Sequence, residues 1–350
     1  METLRLVVDP DRLDAPASRA AIARAAELLR AGGTVAIPTE TVYGLAANAL
    51  DAAAVARIFA AKQRPAWDPV IVHVASEAML QPLLDEMPAR ARRLMAAFWP
   101  GPLTLLLPRS AAVPDCVTAG RPLVGVRMPA HPVTLELIRA AGVPLAAPSA
   151  NTFGHISPTT AAHVLEDLDG RIDAVLDAGP TLHGVESTVL DPTANPMVIY
   201  RPGAVTAGQI QAVAGAVEIF KPAAPPDDMP REALPSPGVG LRHYAPRARL
   251  ILVDAAQLGA RTADAMQEFA GRVGVMLPAG IAAHGLPEPA VIRRWGDWSA
   301  PETLARELYA ALRELDAKGC SAIVCPLPAG EGIEEALRDR LQKAARKAEH

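Results

Sequence analysis

Gly32-Gly33-Thr34-Val35-Ala36-Ile37-Pro38-Thr39-Glu40-Thr41-Val42-Tyr43-Gly44-Leu45 is the stretch from which the fold can be read outward. An apolar run, Thr34 to Ile37, stops at Pro38 and gives way to hydroxyls, a carboxylate and a glycine. Proline has no N–H to give a sheet, so the run predicts a buried strand ending in a loop built to hold something polar. Upstream, Ser18–Ala31 carries Ile22, Ala25, Ala26 and Leu29 on one helical face and is stopped by Gly32-Gly33. Helix, strand and polar loop then recur along the first two hundred residues.

Asp51 caps a helix through Val55, Ile58 and Phe59 that must end by Arg64, because Pro65 disfavours helical geometry in the residue before it. Pro69–Val74 reads as a strand, and Leu83–Phe98 as a helix closed by Trp99-Pro100-Gly101-Pro102. Short apolar runs follow at Leu103–Leu107, Val124–Met128, Val143–Ala147, Ala174–Leu176, Ser187–Leu190 and Val198–Tyr200, with helices at Pro158–Leu168 and Thr206–Val213. Short strands and helices at irregular intervals predict an α+β domain on a mixed or largely antiparallel sheet.

Lys221–Pro237 is different: Pro222, Pro225, Pro226, Pro230, Pro235 and Pro237 fall in a polar stretch without periodicity, the signature of a semi-rigid linker. Beyond it, strands at Arg249–Asp254, Val273–Leu277, Val291–Trp295 and Ala322–Cys325 alternate with helices at Thr262–Ala270, Pro301–Ala317 and Glu331–Lys347. That alternation predicts a smaller α/β domain. The expected division is 1–215, a linker over 216–246, and 247–350. No internal repeat and no glycine-rich phosphate loop is present in the sequence.

A chain of 350 residues is long enough for two cores. No run approaches the roughly 18 apolar residues of a membrane span. Met1-Glu2-Thr3-Leu4-Arg5 lacks the start of a secretion signal, so a soluble cytoplasmic protein is expected. Cys116, Cys320 and Cys325 have no metal-ligand spacing, and structural burial is the better reading of them. A net charge of −4 argues against a broad nucleic-acid surface.

Several polar groups stand at the ends of apolar runs, and each alone has an ordinary explanation. Lys62 and Arg64 lie at a helix C-terminus, where cations complement the dipole; together they would also clamp a polyphosphate. Lys62 is the only lysine before Lys221. His73 is the sole polar residue in Val70–Val74 and would alone pass for a satisfied core histidine. Arg127 interrupts the apolar run Val124–Met128, and a buried arginine needs a partner, which a ligand carboxylate or phosphate would supply. Ser149 and Asn151 follow another apolar run, and Ser157 before Pro158 looks like a helix N-cap, whose neighbouring N–H groups also suit an anion. The same placement applies to Ser187 in Gly184–Val189 and to Arg201 in Ile199–Gly203. Arg242-His243-Tyr244 ends the linker in a basic and aromatic cluster. The set is an inventory for a nucleotide plus a small carboxylate substrate.

Read in order, PTETVYGL, KxRP with IVHV, FWPGPLT, VGVRMP, APSAN with SPT, and ESTV with YRPG resemble the threonylcarbamoyl-AMP synthases, the YrdC-like family. The linker's SPG and RHYAP resemble the long, two-domain form. The resemblance runs from about Ala17 to Pro246 and is weaker over the last hundred residues. It implies a YrdC-like twisted mixed sheet and a Rossmann-like C-terminal domain. It also implies a chemistry: L-threonine, bicarbonate and ATP, with Mg2+, give threonylcarbamoyl-adenylate and pyrophosphate. The product would pass to a downstream transferase machinery for the t6A37 modification, so that tRNA is met only indirectly. Thr41, His73, Arg127 and Ser187 would hold threonine. Lys62 and Arg64 would bind the triphosphate, with Ser149, Asn151, Ser157 and Arg201 around the nucleotide. Arg242, His243 and Tyr244 would close over the site. Lys62, Arg64 and Arg127 are the candidate catalytic cations, with transition-state charge as their target. Asp68 departs from the family's usual asparagine and would repel a triphosphate unless a cation intervenes. At Ala147, where a threonine-contacting side chain might stand, only backbone contact is expected.

Two other readings remain open at this point. One is a carbamoyl-transfer module on the same fold, acting on carbamoyl-adenylate. The other is a non-catalytic RNA-binding protein, which the net charge disfavours.

Overall fold

The computed structural model describes residues 2–221, 243–282 and 285–346. The chain divides into two compact units, the first comprising Met1–Phe153, Pro158–Leu182 and Glu186–Gly240, the second Gly154–Ser157, His183–Val185 and Leu241–His350.

In the first unit the strands are β1 (Leu4–Val7), β2 (Val35–Ile37), β3 (Gly44–Asn48), β4 (Ile71–His73), β5 (Leu103–Pro108) and β6 (Leu123–Arg127). They continue with β7 (Leu145–Ala146), β8 (Ala174–Asp177), β9 (Thr188–Asp191), β10 (Met197–Arg201) and β11 (Val217–Ile219). The helices are α1 (Pro16–Arg30), α2 (Ala52–Lys62), α3 (Ala89–Phe98), α4 (Asp115–Thr118), α5 (Pro132–Ala141), α6 (Ala161–Leu168) and α7 (Ala207–Ala214). The strands form one mixed sheet, ordered β1-β8-β2-β3-β7-β4-β6-β5-β9-β10-β11. β4 runs parallel to β6 and β5 to β9, whereas β5–β6, β4–β7 and β9–β10 are antiparallel.

Side chains that alternate along a strand enter two different cores. Val35 and Ile37 join Ile22, Leu29 and Leu137 on one face, whereas Ala36 joins Leu45, Ile58, Val72 and Val126 on the other. The central strands are thus buried on both sides, which is why their sequence reads as unbroken apolar runs. Each fully buried Leu or Val contributes about 1.5–3 kcal/mol of hydrophobic stabilisation.

Local chemistry fixes the ends. Asp51 Oδ1 accepts from the Ala53 and Ala54 N–H groups at 2.9 and 3.2 Å and starts α2; Gln63 in the left-handed region stops it after Lys62. The helix expected over Leu83–Phe98 starts only after Pro88, as α3, and a 3-10 stretch at Glu77–Leu83 precedes it. The helix expected from Pro158 starts at Ala161. Thr160 Oγ1 accepts the His163 N–H at 3.2 Å, so the cap is Thr160 and not Ser157, which stands before a proline.

The second unit contains β12 (Arg249–Val253), β13 (Arg272–Ala279), β14 (Val291–Asp297) and β15 (Cys320–Pro326), with α8 (Leu258–Glu268), α9 (Pro301–Ala317) and α10 (Ile333–Ala345). Its sheet is entirely parallel, ordered β12-β15-β13-β14; helices follow β12, β14 and β15, whereas no helix lies between β13 and β14 among the described residues. Val253, Val275, Leu277 and Val324 are in its core, and Cys320 and Cys325 are buried as free thiols.

Candidate active site

Five adjacent strands of the first unit bring the polar groups into one row. His73 closes β4 and Arg127 closes β6, and the two are direct partners in the parallel ladder. β5 runs antiparallel to β6 with Leu105 opposite Val126, which sets Thr104 opposite Arg127. Leu103 of β5 pairs with Thr188 of β9, so Ser187 stands at the same end, and Arg201 closes β10 beside it. The start of this row is held tight by Gly203: a Cβ there would lie 2.4 Å from the Thr188 nitrogen and 2.5 Å from the Glu186 oxygen. Glycine is required for that close approach.

The loop after β2 supplies the other side. The Thr39 hydroxyl donates to the Val42 carbonyl at 2.6 Å, and its oxygen accepts the Thr41 and Val42 N–H groups at 3.1 and 3.2 Å. Thr39 has spent its only proton, so across the 2.8 Å contact between the two hydroxyls Thr41 is the donor. Thr41 Oγ1 in turn accepts Arg127 Nη1 at 3.1 Å, and Arg127 Nε donates to the Gly101 carbonyl at 3.2 Å.

The remaining nitrogen, Nη2, lies 2.6 Å from Glu40 Oε1. Glu40 is thus the partner that a buried Arg127 demands, and it was missed as a site residue in the sequence reading. The signal was present, because a carboxylate directly after a strand-ending proline is itself out of place in a buried loop. Glu40 and Arg127 are 5% and 3% exposed. Burial alone would raise the Glu40 pKa, but the Arg127 charge and the nearby backbone N–H groups of Glu40 and Ala130 outweigh it and hold the carboxyl below its ordinary value.

His73 is pushed down to about 3, first by burial and then by the Arg127 charge, so its ring is neutral at physiological pH. Its Nδ1 is buried without a hydrogen-bond partner among the described residues. Ser187 Oγ lies 2.8 Å from Thr104 Oγ1 and accepts Arg201 Nη2 at 3.1 Å; Arg201 also donates to the Ser187 carbonyl through Nε and Nη2 at 3.1 and 3.0 Å.

A second group gathers at the end of α2. Lys62 Nζ donates to the Ser149 and Asn151 carbonyls at 2.5 and 2.6 Å, and the Phe153 N–H donates back to the Lys62 carbonyl at 2.8 Å. Arg64 donates to the Asp68 and Pro69 carbonyls at 3.1 and 2.6 Å and sets Nη2 2.9 Å from Asp68 Oδ2. Burial, then the Arg64 charge, lowers the Lys62 pKa well below its ordinary value. Burial raises that of Asp68 against the opposing charges of Arg64, Lys62 and Arg201. Arg64 is therefore the cation that the unusual Asp68 required. Ala147 offers only backbone, and its N–H is already given to the Ile71 carbonyl at 2.9 Å.

Thr41, His73, Arg127, Ser187 and Arg201 thus form one cluster and Lys62, Arg64, Asp68, Ser149 and Asn151 another, both in the first unit. Ser157, His243 and Tyr244 fall in the second unit. There the Tyr244 ring lies 4.2 Å from His243, 5.9 Å from the stacked Tyr309 and 5.1 Å from the Arg340 guanidinium. Arg242 and the linker stretch 222–242 lie outside the described residues.

A buried arginine beside hydroxyls and a neutral histidine is an arrangement that can receive a carboxylate. Likeness to known proteins supplies the class. A family model described as "Telomere recombination", for Sua5, YciO and YrdC proteins, matches residues 27–203; one described as "Threonylcarbamoyl-AMP synthase, C-terminal domain" matches residues 205–346. The threonylcarbamoyl-AMP synthase of Pyrococcus abyssi is 43% identical over 92% of this chain and 93% of its own length. That of Bacillus subtilis is 43% identical over 93% and 92%. The crystal structure of P. abyssi Sua5 complexed with L-threonine superposes with a TM-score of 0.88 at 40% identity, covering 98% of both chains. The chain belongs to the threonylcarbamoyl-AMP synthase family, in its long two-domain form.

Proposed function

We propose that the chain makes L-threonylcarbamoyl-adenylate and pyrophosphate from L-threonine, bicarbonate and ATP, for the t6A37 modification of tRNA. The observation that carries this reading is the Arg127 row, in which a buried guanidinium meets a hydroxyl, a carboxylate and a neutral histidine. The amine of threonine adds to bicarbonate with loss of water; a carbamate oxygen then attacks the α-phosphorus, and pyrophosphate leaves. Arg127 receives the threonine carboxylate, with Thr41, His73 and Ser187 beside it. Lys62 and Arg64 meet the triphosphate, and Ser149, Asn151 and Arg201 serve the nucleotide, with Asp68 shielded by Arg64. Cations fixed before reaction stabilise the charge that moves onto pyrophosphate.

Among the described residues no group of three or more His, Cys, Asp or Glu side chains is placed to hold a metal. Glu40 and Asp68 each face a guanidinium. This donor set does not fit a protein-held cation, and Mg2+ is assigned to the ATP complex as substrate. No helix among the described residues is long and apolar enough to cross a membrane. We place the reaction in the cytoplasm, where its product passes to a threonylcarbamoyl transferase.

The test is pyrophosphate release from MgATP with and without L-threonine and bicarbonate, on wild type and Arg127→Ala. Release that needs both and collapses in the variant supports the synthase. Release indifferent to threonine supports carbamoyl transfer instead, and no release sinks both.

A further inference from the structure

Glu40 Oε1 and Arg127 Nη2 form a buried ion pair at 2.6 Å, with the backbone N–H groups of Glu40 and Ala130 near the carboxylate. None of these contacts has the alignment of a full hydrogen bond, at either Glu40 oxygen or at Arg127 Nη2, among the described residues. Two oxygens and one nitrogen thus keep hydrogen-bonding capacity where burial leaves almost no access to water. Leaving such groups unsatisfied is costly, and natural sites keep them where a ligand completes them. An α-amino acid is the complementary shape: its carboxylate accepts, and its ammonium, one carbon away, donates.

We infer that Glu40 receives the α-ammonium group of the amino-acid substrate while Arg127 takes its carboxylate. The inference rests on the reading of L-threonine as substrate and adds the group that makes the site choose an amino acid. Thr41 cannot serve in place of Glu40, because its proton goes to Thr39. His73 is a single neutral ring that offers no charge. Glu40 is the buried anion in contact with the arginine. A ligand that bears a carboxylate but no ammonium leaves Glu40 unanswered, and a site built for a polar group rejects the analogue that lacks it.

The experiment measures binding to the full chain by calorimetry, with L-threonine and with (R)-3-hydroxybutanoate, which is threonine without its amino group. Wild type is expected to prefer threonine by about tenfold to a hundredfold, the range of one hydrogen bond to a charged group. In Glu40→Gln the preference collapses while the hydroxybutanoate is bound no more weakly than before, because Arg127 is then less neutralised. In folded Glu40→Gln, equal weakening of both ligands overturns the assignment, as does an unchanged preference. Should Glu40→Gln fail to fold, Glu40→Asp carries the test: it keeps a carboxylate and must keep the preference, and its loss overturns the assignment. A wild-type chain that binds no threonine overturns the underlying substrate reading instead.

Discussion

His73 and Arg127 stand opposite each other in register, the last residues of two parallel strands, so that an ordinarily titratable ring is built directly against a permanent cation. Parallel pairing makes both strands end at one level, and the pair therefore belongs to the backbone as much as to the side chains. A slip of either strand by one residue would send that strand's terminal side chain to the opposite face of the sheet and part the pair.

That pairing makes acid stability depend on His73. Its folded pKa, about 3, is below the unfolded value near 6.5. Between these values the unfolded chain binds a proton that the folded chain refuses, so stability is full above about pH 6.5 and is lost as pH falls. The slope is about 1.4 kcal/mol per pH unit for one such group. His73→Gln should flatten the wild-type slope in urea titrations between pH 4.5 and 6.5. Parallel slopes for the two proteins would refute the burial of a neutral His73.

Removing one member of the Glu40–Arg127 pair should harm the fold more than removing both. Arg127→Met leaves a buried carboxylate without its cation and should cost about 3–5 kcal/mol in urea unfolding. The double variant Glu40→Gln with Arg127→Met should recover most of that loss, yet bind no threonine. Additive losses in the cycle would show that the two charges do not depend on each other.

Asp68→Asn should leave ATP affinity unchanged or improve it. Asp68 Oδ2 holds Arg64 Nη2 at 2.9 Å, and the amide releases that charge while keeping the side chain's size. Burial raises the Asp68 pKa against the Arg64 charge, and Arg64 also donates to the Asp68 and Pro69 carbonyls, bonds that the amide leaves in place. A large loss of ATP binding in this variant would give Asp68 a role of its own.

The sequence made legible whatever a local rule governs. The Asp51 cap, the end of α2 before Arg64, and the helix–strand alternation of the second unit all follow from capping, proline sterics and periodicity. β3, Gly44-Leu45-Ala46-Ala47-Asn48, was not legible: glycine and alanine have weak strand preference, and only burial on both faces makes them a strand. Ser157 looked like a cap because capping rules do not say which of several hydroxyls near a helix start will be used. Glu40 was missed for a different reason. Its role exists only when a loop near residue 40 meets a strand ending at 127, and no spacing along the chain encodes that meeting.

Lys62 offers a test of the nucleotide side that does not depend on turnover. Its nitrogen is fully buried, its pKa is well lowered, and it is bonded to two carbonyls, a number that a neutral amine can still satisfy with its two N–H groups. A triphosphate arriving beside it raises that pKa, because a nearby anion favours the charged form. Binding of MgATP should therefore take up a proton over the pH range in which the lowered Lys62 titrates, located by repeating the measurement across pH. Calorimetric heats in buffers of different ionisation enthalpy should diverge for wild type and converge for Lys62→Met. Lys62→Met should also be destabilised, since two buried carbonyls lose their donor, at about 1–3 kcal/mol each. Buffer-independent heats in the wild type would mean that Lys62 remains a structural bridge and that the triphosphate is held by Arg64 and its neighbours without it.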